Sequence, residues 1–215
     1  MAIQKGFWLA FGISILILVA AVVLLLQPSG QVSDFQKWQY KASAQVATSS
    51  KLKVKFFGIS TLLSNDGKTQ VLIDGFFSHP SIGQVRFTKI QSQSQILKQV
   101  IAQYQLQRTQ AILVTHSHYD HALDIAELGK QLPNSKIIGS NSSLNIARGG
   151  HVPEQQLLPV QPFKPMLFGQ FKVTAIPSQH TPPTAVNNDL GDEITQPRNF
   201  LPASRHLRKA IILTI

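Results

Sequence analysis

A short apolar run that leads straight into a knot of histidines constrains this chain more than any other feature. In AILVTHSHYDHALDIAEL, residues 111–128, three of the chain's seven histidines fall within six residues. AILVT reads as a buried strand, and the residues from Asp120 onward, with Leu123, Ile125, Ala126 and Leu128, read as a helix stopped by Gly129. A strand ending at Thr115 aims the following loop beyond the sheet edge. His116 and His118, two apart in an extended loop, then project to one side. Asp120 and His121 open the helix, where a carboxylate also suits the positive end of the helix dipole. Neutral imidazole and carboxylate are the usual ligands of a zinc-type ion. One loop of the form H-x-H-x-D-H therefore offers two ligands to one ion and two to another.

A second feature bounds the architecture. FWLAFGISILILVAAVVLLL, residues 7–26, carries no charge over twenty residues, about the length that crosses a bilayer core as a helix. An uncleaved signal anchor is the expectation; a cleaved signal peptide and a buried helix are the alternatives. Lys5 and the amino terminus precede the run, while Lys37, Lys41, Lys51, Lys53 and Lys55 follow it. The positive charges on the far side favour a cytoplasmic body. The short leader resembles an export signal, and the expectation leans to an extracytoplasmic body. The organisation expected is a leader at 1–6, a transmembrane anchor at 7–26, a linker at 27–50 with a short helix around Phe35, Trp38 and Tyr40, and one domain over 51–215.

The chain has no cysteine, which excludes disulfides and thiolate metal ligands. Its formal net charge is +10, without a basic stripe interleaved with aromatics, so no nucleic-acid partner is expected. A solvated surface is the ordinary reading of that charge, and attraction to anionic lipid headgroups or to a negatively charged substrate is the alternative.

Along the domain, KLKVKFF alternates, with Leu52, Val54 and Phe56 on one side and lysines on the other: a half-buried strand. NDGK is a hairpin turn, and TQVLIDG a second strand ending at Asp74. Ile96, Val100, Ile101 and Tyr104 mark an amphipathic helix. NSKIIGS is a strand, SNSSLNIAR a helix capped by Ser140 or Asn141, and MLFGQFKVTAIPSQH a hairpin in which Phe171, Val173 and Ala175 alternate. Beyond His180 prolines punctuate a loop-like stretch, and KAIILTI is strand-like.

The cluster and its flanks resemble the metallo-β-lactamase superfamily. FFGISTLLSNDGKTQVLIDG is similar to its opening hairpin and Asp-Gly strand end, and VTAIPSQHT to its next metal-binding strand end. HSHYDH with SQHTP looks closest to lactonase-like enzymes and to the phospholipase D-type enzymes that cleave N-acyl phosphatidylethanolamine. The resemblance, over about residues 54–190, implies an α/β fold: the N-terminal part of an αββα sandwich, here preceded by a transmembrane helix. It implies a metal-dependent hydrolase acting on an ester, lactone or phosphodiester, with zinc as cofactor, one or two ions, or manganese or iron in its place. His116, His118 and His180 would hold the first ion; Asp120 and His121 would belong to the second, with Asp120 also orienting water or accepting its proton. Asp74 is expected either behind the metal ligands or as a turn cap. His79 is a candidate for the mouth of the site, His151 a loop residue, and His206 carries no role.

The family pattern continues into a second sheet with a bridging aspartate and a last histidine. Here Asp189, Asp192 and Glu193 fall in a loop, and His206 follows without that context. The expectation is that the C-terminal half of the domain is missing. A catalytically incomplete or vestigial membrane-tethered metal-binding fragment is therefore the alternative function. The partners expected are membrane lipid through residues 7–26, a small-molecule or lipid-like substrate, and a second copy of the chain as a possible homo-oligomer.

Overall fold

The computed structural model describes residues 2–25, 52–178, 193–198 and 212–214. Residues up to Ser49 and those from Ser50 onward form two compact units.

The first unit holds one helix, α1 (Ala2–Leu25). Within it Gly6–Leu24 is long and apolar enough to cross a membrane. Phe7, Leu16 and Leu24 are all more than half exposed, so the helix is apolar on every side rather than along one stripe. Its one interior hydroxyl is satisfied locally, Ser14 Oγ donating to the Ala10 carbonyl at 3.0 Å, as an apolar surrounding demands.

The second unit is built on a six-stranded sheet in the order β1-β2-β3-β4-β5-β6. The strands are β1 (Lys53–Gly58), β2 (Thr61–Asn65), β3 (Gln70–Ile73), β4 (Thr109–Leu113), β5 (Lys136–Gly139) and β6 (Leu157–Pro159). β1, β2 and β3 pair antiparallel; β3 to β6 pair parallel. The expected NDGK turn joins β2 to β3. Asn65 Oδ1 accepts from Gly67 N, Asp66 Oδ1 accepts from Lys68 N and Thr69 N, and Gly67 takes φ 92°. Those two backbone donors hold the Asp66 carboxyl below its ordinary range.

Parallel pairing requires crossovers, and helices supply them. α2 (Ile82–Phe87) and α3 (Ser94–Tyr104) lie between β3 and β4; α4 (Tyr119–Ala122) and α5 (Ile125–Gln131) between β4 and β5; and α6 (Asn141–Gly149) between β5 and β6. Leu97, Ile101, Ile125, Leu128 and Leu144 pack with Leu63, Leu72, Ile112 and Ile137 of the sheet into the main core. α3 is the helix expected, although its deepest residue is Leu97, at 0% exposure, rather than those that marked its pattern. α2 was not foreseen; its signal was the capping box of Ser81 and Gln84. The helix expected from Asp120 is two helices, broken at Leu123 and Asp124. Gly129 does not end it: a Cβ there would stand 2.9 Å from both Ile137 Cδ1 and Val152 Cγ2. The residue is small because α5 lies close against β5. Ser140 caps α6, its Oγ accepting from Ser143 N.

The opposite face of the sheet carries a smaller core. Val71, Ala111, Leu113 and Ile138 meet Phe168 and Val173 of the hairpin β7 (Pro165–Phe168) and β8 (Phe171–Thr174). At the sheet margin this face is open. Phe56 stands opposite Leu62, and Leu62 opposite Ile73, on the same face; yet Val54 is 58% and Phe56 61% exposed. The strand expected to bury Leu52, Val54 and Phe56 leaves all three exposed, and on its other side Lys53 and Lys55 are exposed and only Phe57 is partly buried. Phe57 joins the helical core, and Lys55 Nζ lies 4.5 Å from the Tyr104 ring centroid. A third pairing joins β9 (Ile176–Ser178) to β10 (Ile212–Thr214), the strand-like run expected near the end. The juxtamembrane stretch with Phe35, Trp38 and Tyr40, and also His180, Asp189, Asp192 and His206, lie outside the described residues.

One further segment docks on α6. Asn145 Nδ2 donates to the Ile194 carbonyl at 2.7 Å, Ile194 N donates to Ser142 Oγ at 3.0 Å, and Ile194 joins the core at 3% exposure.

Candidate functional site

The parallel strands β3, β4 and β5 all point their carboxyl ends to one edge, where open α/β sheets place their ligands. Asp74 follows β3, the histidine loop follows β4, and Ser140 follows β5. Asp74 extends the β3–β4 ladder by one bond, its N–H donating to the Leu113 carbonyl at 2.7 Å. It then turns through φ 58°, a left-handed conformation that Asp tolerates better than most residues. Gly75 continues at φ 88°, and a Cβ there would come within 2.7 Å of Leu128 Cδ1. The Asp-Gly pair is thus a strand-end turn whose first side chain is aimed inward.

That carboxylate is fully buried and organises the histidine loop. Asp74 Oδ1 accepts from Thr115 N at 2.8 Å and from Thr115 Oγ1 at 2.9 Å. Asp74 Oδ2 lies 2.8 Å from His121 Nδ1. Ser60 Oγ, from the β1–β2 turn, also stands 2.8 Å from that nitrogen. A proton on Nδ1 donated to the carboxylate leaves His121 Nε2 as a lone pair, facing Asp120 Oδ2 at 3.7 Å. Both roles expected for Asp74, turn residue and support of the histidines, are combined in one side chain.

His116 is positioned by the same anchor. Its Nδ1 lies 3.2 Å from Thr115 Oγ1, whose hydroxyl proton is given to Asp74. The hydroxyl is then left to accept from His116 Nδ1–H, and His116 Nε2 keeps its lone pair. That Nε2 stands 3.1 Å from His118 Nδ1. The ring centroids of His116 and His118 are 4.6 Å apart, and those of His116 and His121 3.8 Å. His116 is 7% exposed and the Asp120 carboxylate side chain 32%, so the imidazoles form a recessed floor with a half-exposed carboxylate beside them.

The four residues of the loop thus come together as two pairs, His116 with His118 and Asp120 with His121. Two nitrogens bound at about 2.0–2.1 Å to one tetrahedral ion lie about 3.3 Å apart, close to the His116–His118 spacing, and the donor set suits zinc-type ions. The same spacing also serves an N–H···N bond when no ion is bound. Among the described residues no three His, Asp or Glu side chains converge as one complete metal-binding group; the third expected ligand, His180, lies outside them.

Around the floor, Phe76 meets the rings of both Tyr119, at 6.1 Å, and His79, at 4.8 Å. His79 thereby reaches the vicinity of the loop through Phe76. His151 is elsewhere, at the turn after α6 with φ 65°. Sequence reasoning missed Ser60, Thr115 and Asp124. Asp124, 1% exposed, accepts from Phe77 N at 2.7 Å, from Ser78 N at 2.8 Å, and from the hydroxyls of Ser78 and Ser92. It ties the segment after Asp74 to the start of α5. A carboxylate inside an apolar helix pattern was its signal. The hydroxyls of Ser60 and Thr115 had none, because serine and threonine at strand ends are common for other reasons.

A mixed α/β unit whose imidazoles and carboxylates gather at the carboxyl edge of parallel strands has a fold of the metallo-β-lactamase type. The chain belongs to the β-lactamase superfamily: its residues 69–198 match the family model described as a beta-lactamase superfamily domain. Among solved structures it is similar to the metallo-β-lactamase SMB-1 in complex with mercaptoacetic acid, at 22% identity over 55% of this chain and 46% of that chain, TM-score 0.40. It is similar also to Igni18, a metallo hydrolase from Ignicoccus hospitalis KIN4/I, at 15% identity over 60% and 49%, TM-score 0.39. A third is the metallo-β-lactamase fold protein YhfI from Bacillus subtilis, at 20% identity over 56% and 45%, TM-score 0.37. The chain spans about half the length of these structures. Comparison with curated proteins finds no match.

Proposed function

We propose that this chain is a membrane-anchored, metal-dependent hydrolase acting on an ester, lactone or phosphodiester. The observation that carries the reading is the 3.1 Å approach of His116 Nε2 to His118 Nδ1, with the His116 tautomer set through Thr115 and Asp74. His116, His118 and His180 hold the first ion; Asp120 and His121 belong to the second. Zinc is the ion proposed, with manganese or iron as substitutes. When bound, such an ion polarises the substrate's carbonyl or phosphoryl oxygen and acidifies water.

The chain's own residues do the rest. Asp74 and Ser60 hold His121 by Nδ1, and Thr115 holds His116. Asp120, half-exposed beside the recessed imidazoles, orients the attacking water and takes its proton on the carboxylate. The anchor is residues 7–26, preceded by the leader 1–6 and followed by the linker 27–50 and the hydrolase domain 51–215, on the extracytoplasmic side. The net charge of +10 and the apolar helix favour a lipid-like substrate of the lactonase or N-acyl phosphatidylethanolamine-cleaving kind.

The test uses the full chain in lipid nanodiscs, loaded with zinc or manganese and assayed on a chromogenic phosphodiester and a lactone. Chelator-sensitive turnover that disappears in His118→Ala is the expected result. Retained zinc without turnover of any substrate tried would move the chain to the second reading, a tethered metal-binding protein without catalysis. Absence of both would overturn the proposal.

A further inference from the structure

The helical face holds a cavity of about 300 Å³ lined by none of Asp74, Thr115, His116, His118, Asp120 or His121. Its volume is at the lower end of small-molecule sites, which run about 300–1,000 Å³. The floor is apolar: Ile90 is 3%, Leu123 7% and Ile146 5% exposed. Ala126 completes it and lies so near Gly150 that a Cβ on the glycine would stand 2.2 Å from the alanine Cβ. The bare backbone at Gly150 therefore sets one wall.

The rim is polar and its hydrogen-bonding capacity is uneven. Glu127 is already occupied: Oε1 accepts from Ser94 Oγ and Gln131 Nε2, both at 2.7 Å, and Oε2 takes Lys130 Nζ at 3.0 Å. Burial raises the Glu127 carboxyl, but the bonds from Ser94, Gln131 and Lys130 outweigh it and hold the group ionised, at about 2. Lys130 spends one of its three donors on that carboxylate and is 49% exposed. The exposed side chains of Gln91 and His151 add further donors at the cavity wall. A rim with spare donors and one ammonium above an apolar floor recognises an anion with a hydrocarbon tail. The neighbouring Glu127 carboxylate opposes added negative charge, a dianion more than a monoanion.

We propose that the cavity lined by Ile90, Leu123, Ala126 and Ile146, with Lys130 and His151 at its rim, is a binding site for a small amphiphilic monocarboxylate. The tail lies on Leu123 and Ile146, and the carboxylate meets Lys130, Gln91 and His151.

The probe is hexanoate, added to the full chain in phosphatidylcholine nanodiscs with isoleucine δ1 methyls labelled for NMR. Saturable shifts are expected at Ile90 and Ile146 and not at Ile112 or Ile137 in the sheet core. Lys130→Gln, a surface change, should weaken binding about two- to fivefold, the range of an exposed ionic contact, and His151→Gly, which accepts the φ of 65° at that turn, should weaken it through the lost donor. Hexan-1-ol, hexyl phosphate and hexyltrimethylammonium should all bind more weakly than hexanoate. Absence of saturable shifts at Ile90 and Ile146 would overturn the site. Equal binding by the alcohol or the cation, or rim variants with unchanged affinity, would overturn the anionic recognition. Hexyl phosphate binding as tightly as hexanoate would overturn the monocarboxylate assignment.

Discussion

Asp74 and His121 are forty-seven positions apart in the chain, yet the buried Asp74 carboxylate lies 2.8 Å from His121 Nδ1. The same carboxylate receives the backbone and hydroxyl of Thr115, so one side chain sets both the start of the histidine loop and the orientation of its last imidazole. Removing it should affect the loop before the sheet. Asp74→Ala is expected to lower affinity for zinc about 10–100-fold, the usual cost of losing a partner behind a metal-binding histidine. Asp74→Asn, which keeps an acceptor and tolerates the left-handed turn, should lose less. Competition with a chromophoric chelator measures both.

Asp124 is a structural counterpart. Its carboxylate takes two backbone and two hydroxyl donors at 1% exposure. Asp124→Ala strands those donors, each costing about 1–3 kcal/mol if buried without a partner. A loss of about 3 kcal/mol or more is expected in denaturant unfolding, and with it lower protection of the Phe77 and Ser78 amides in hydrogen exchange.

Acid should weaken the contact between α3 and α5. The Glu127 carboxyl is lowered from 4.5 to about 2 in the folded chain. A depressed carboxyl contributes stability that is fully present above its unfolded value and lost as pH falls through the folded one. Stability is therefore expected to decline between about pH 4.5 and 2 through this group. Glu127→Gln should be less stable than the parent at pH 7 and show a flatter decline, read from urea midpoints across that range.

The two neighbours on β1 should respond oppositely. Phe56 is 61% exposed, while Phe57 packs edge-on against Phe77 and Tyr104 at 5.3 and 4.8 Å. Phe56→Lys is expected to change stability by no more than about 0.5 kcal/mol and to reduce any self-association through the open sheet face. Phe57→Ala should cost about 3 kcal/mol, near the low end for a core phenylalanine because Phe57 is only partly buried. Thermal unfolding and sedimentation velocity separate the two effects.

Residues 7–26 should hold the chain in membranes through a high-salt wash, because apolar insertion is not screened as electrostatic adsorption is. Deleting 2–25 should release it. Full-length chain found in the soluble fraction after the wash would count against an anchor.

The sequence read alone carried the local elements well. The NDGK turn, the α3 pattern, the Ser140 cap and the strand that delivers His116 depend on neighbours within a few residues, and they stand where periodicity and turn chemistry put them. The long apolar helix belongs to the same class. The break between α4 and α5 was not legible, because an apolar pattern runs across Leu123 while the buried Asp124 side chain is committed to the loop at Phe77 and Ser78.

What the sequence determined by itself was the spacing of donors in HSHYDH and the alternation of side chains along each strand. Only the tertiary structure decided what those donors lean on and which strand face is covered. Alternation says that Val54 and Phe56 share a side, but not whether another layer meets that side; here the helices took the face of Phe57 and left Phe56 open. Likewise no local rule links Ser60, Asp74, Thr115 and His121. They meet because β3 and β4 lie side by side in parallel, with the β1–β2 turn brought to the same edge. A contact of that range follows from strand order, which the packing of the whole sheet sets.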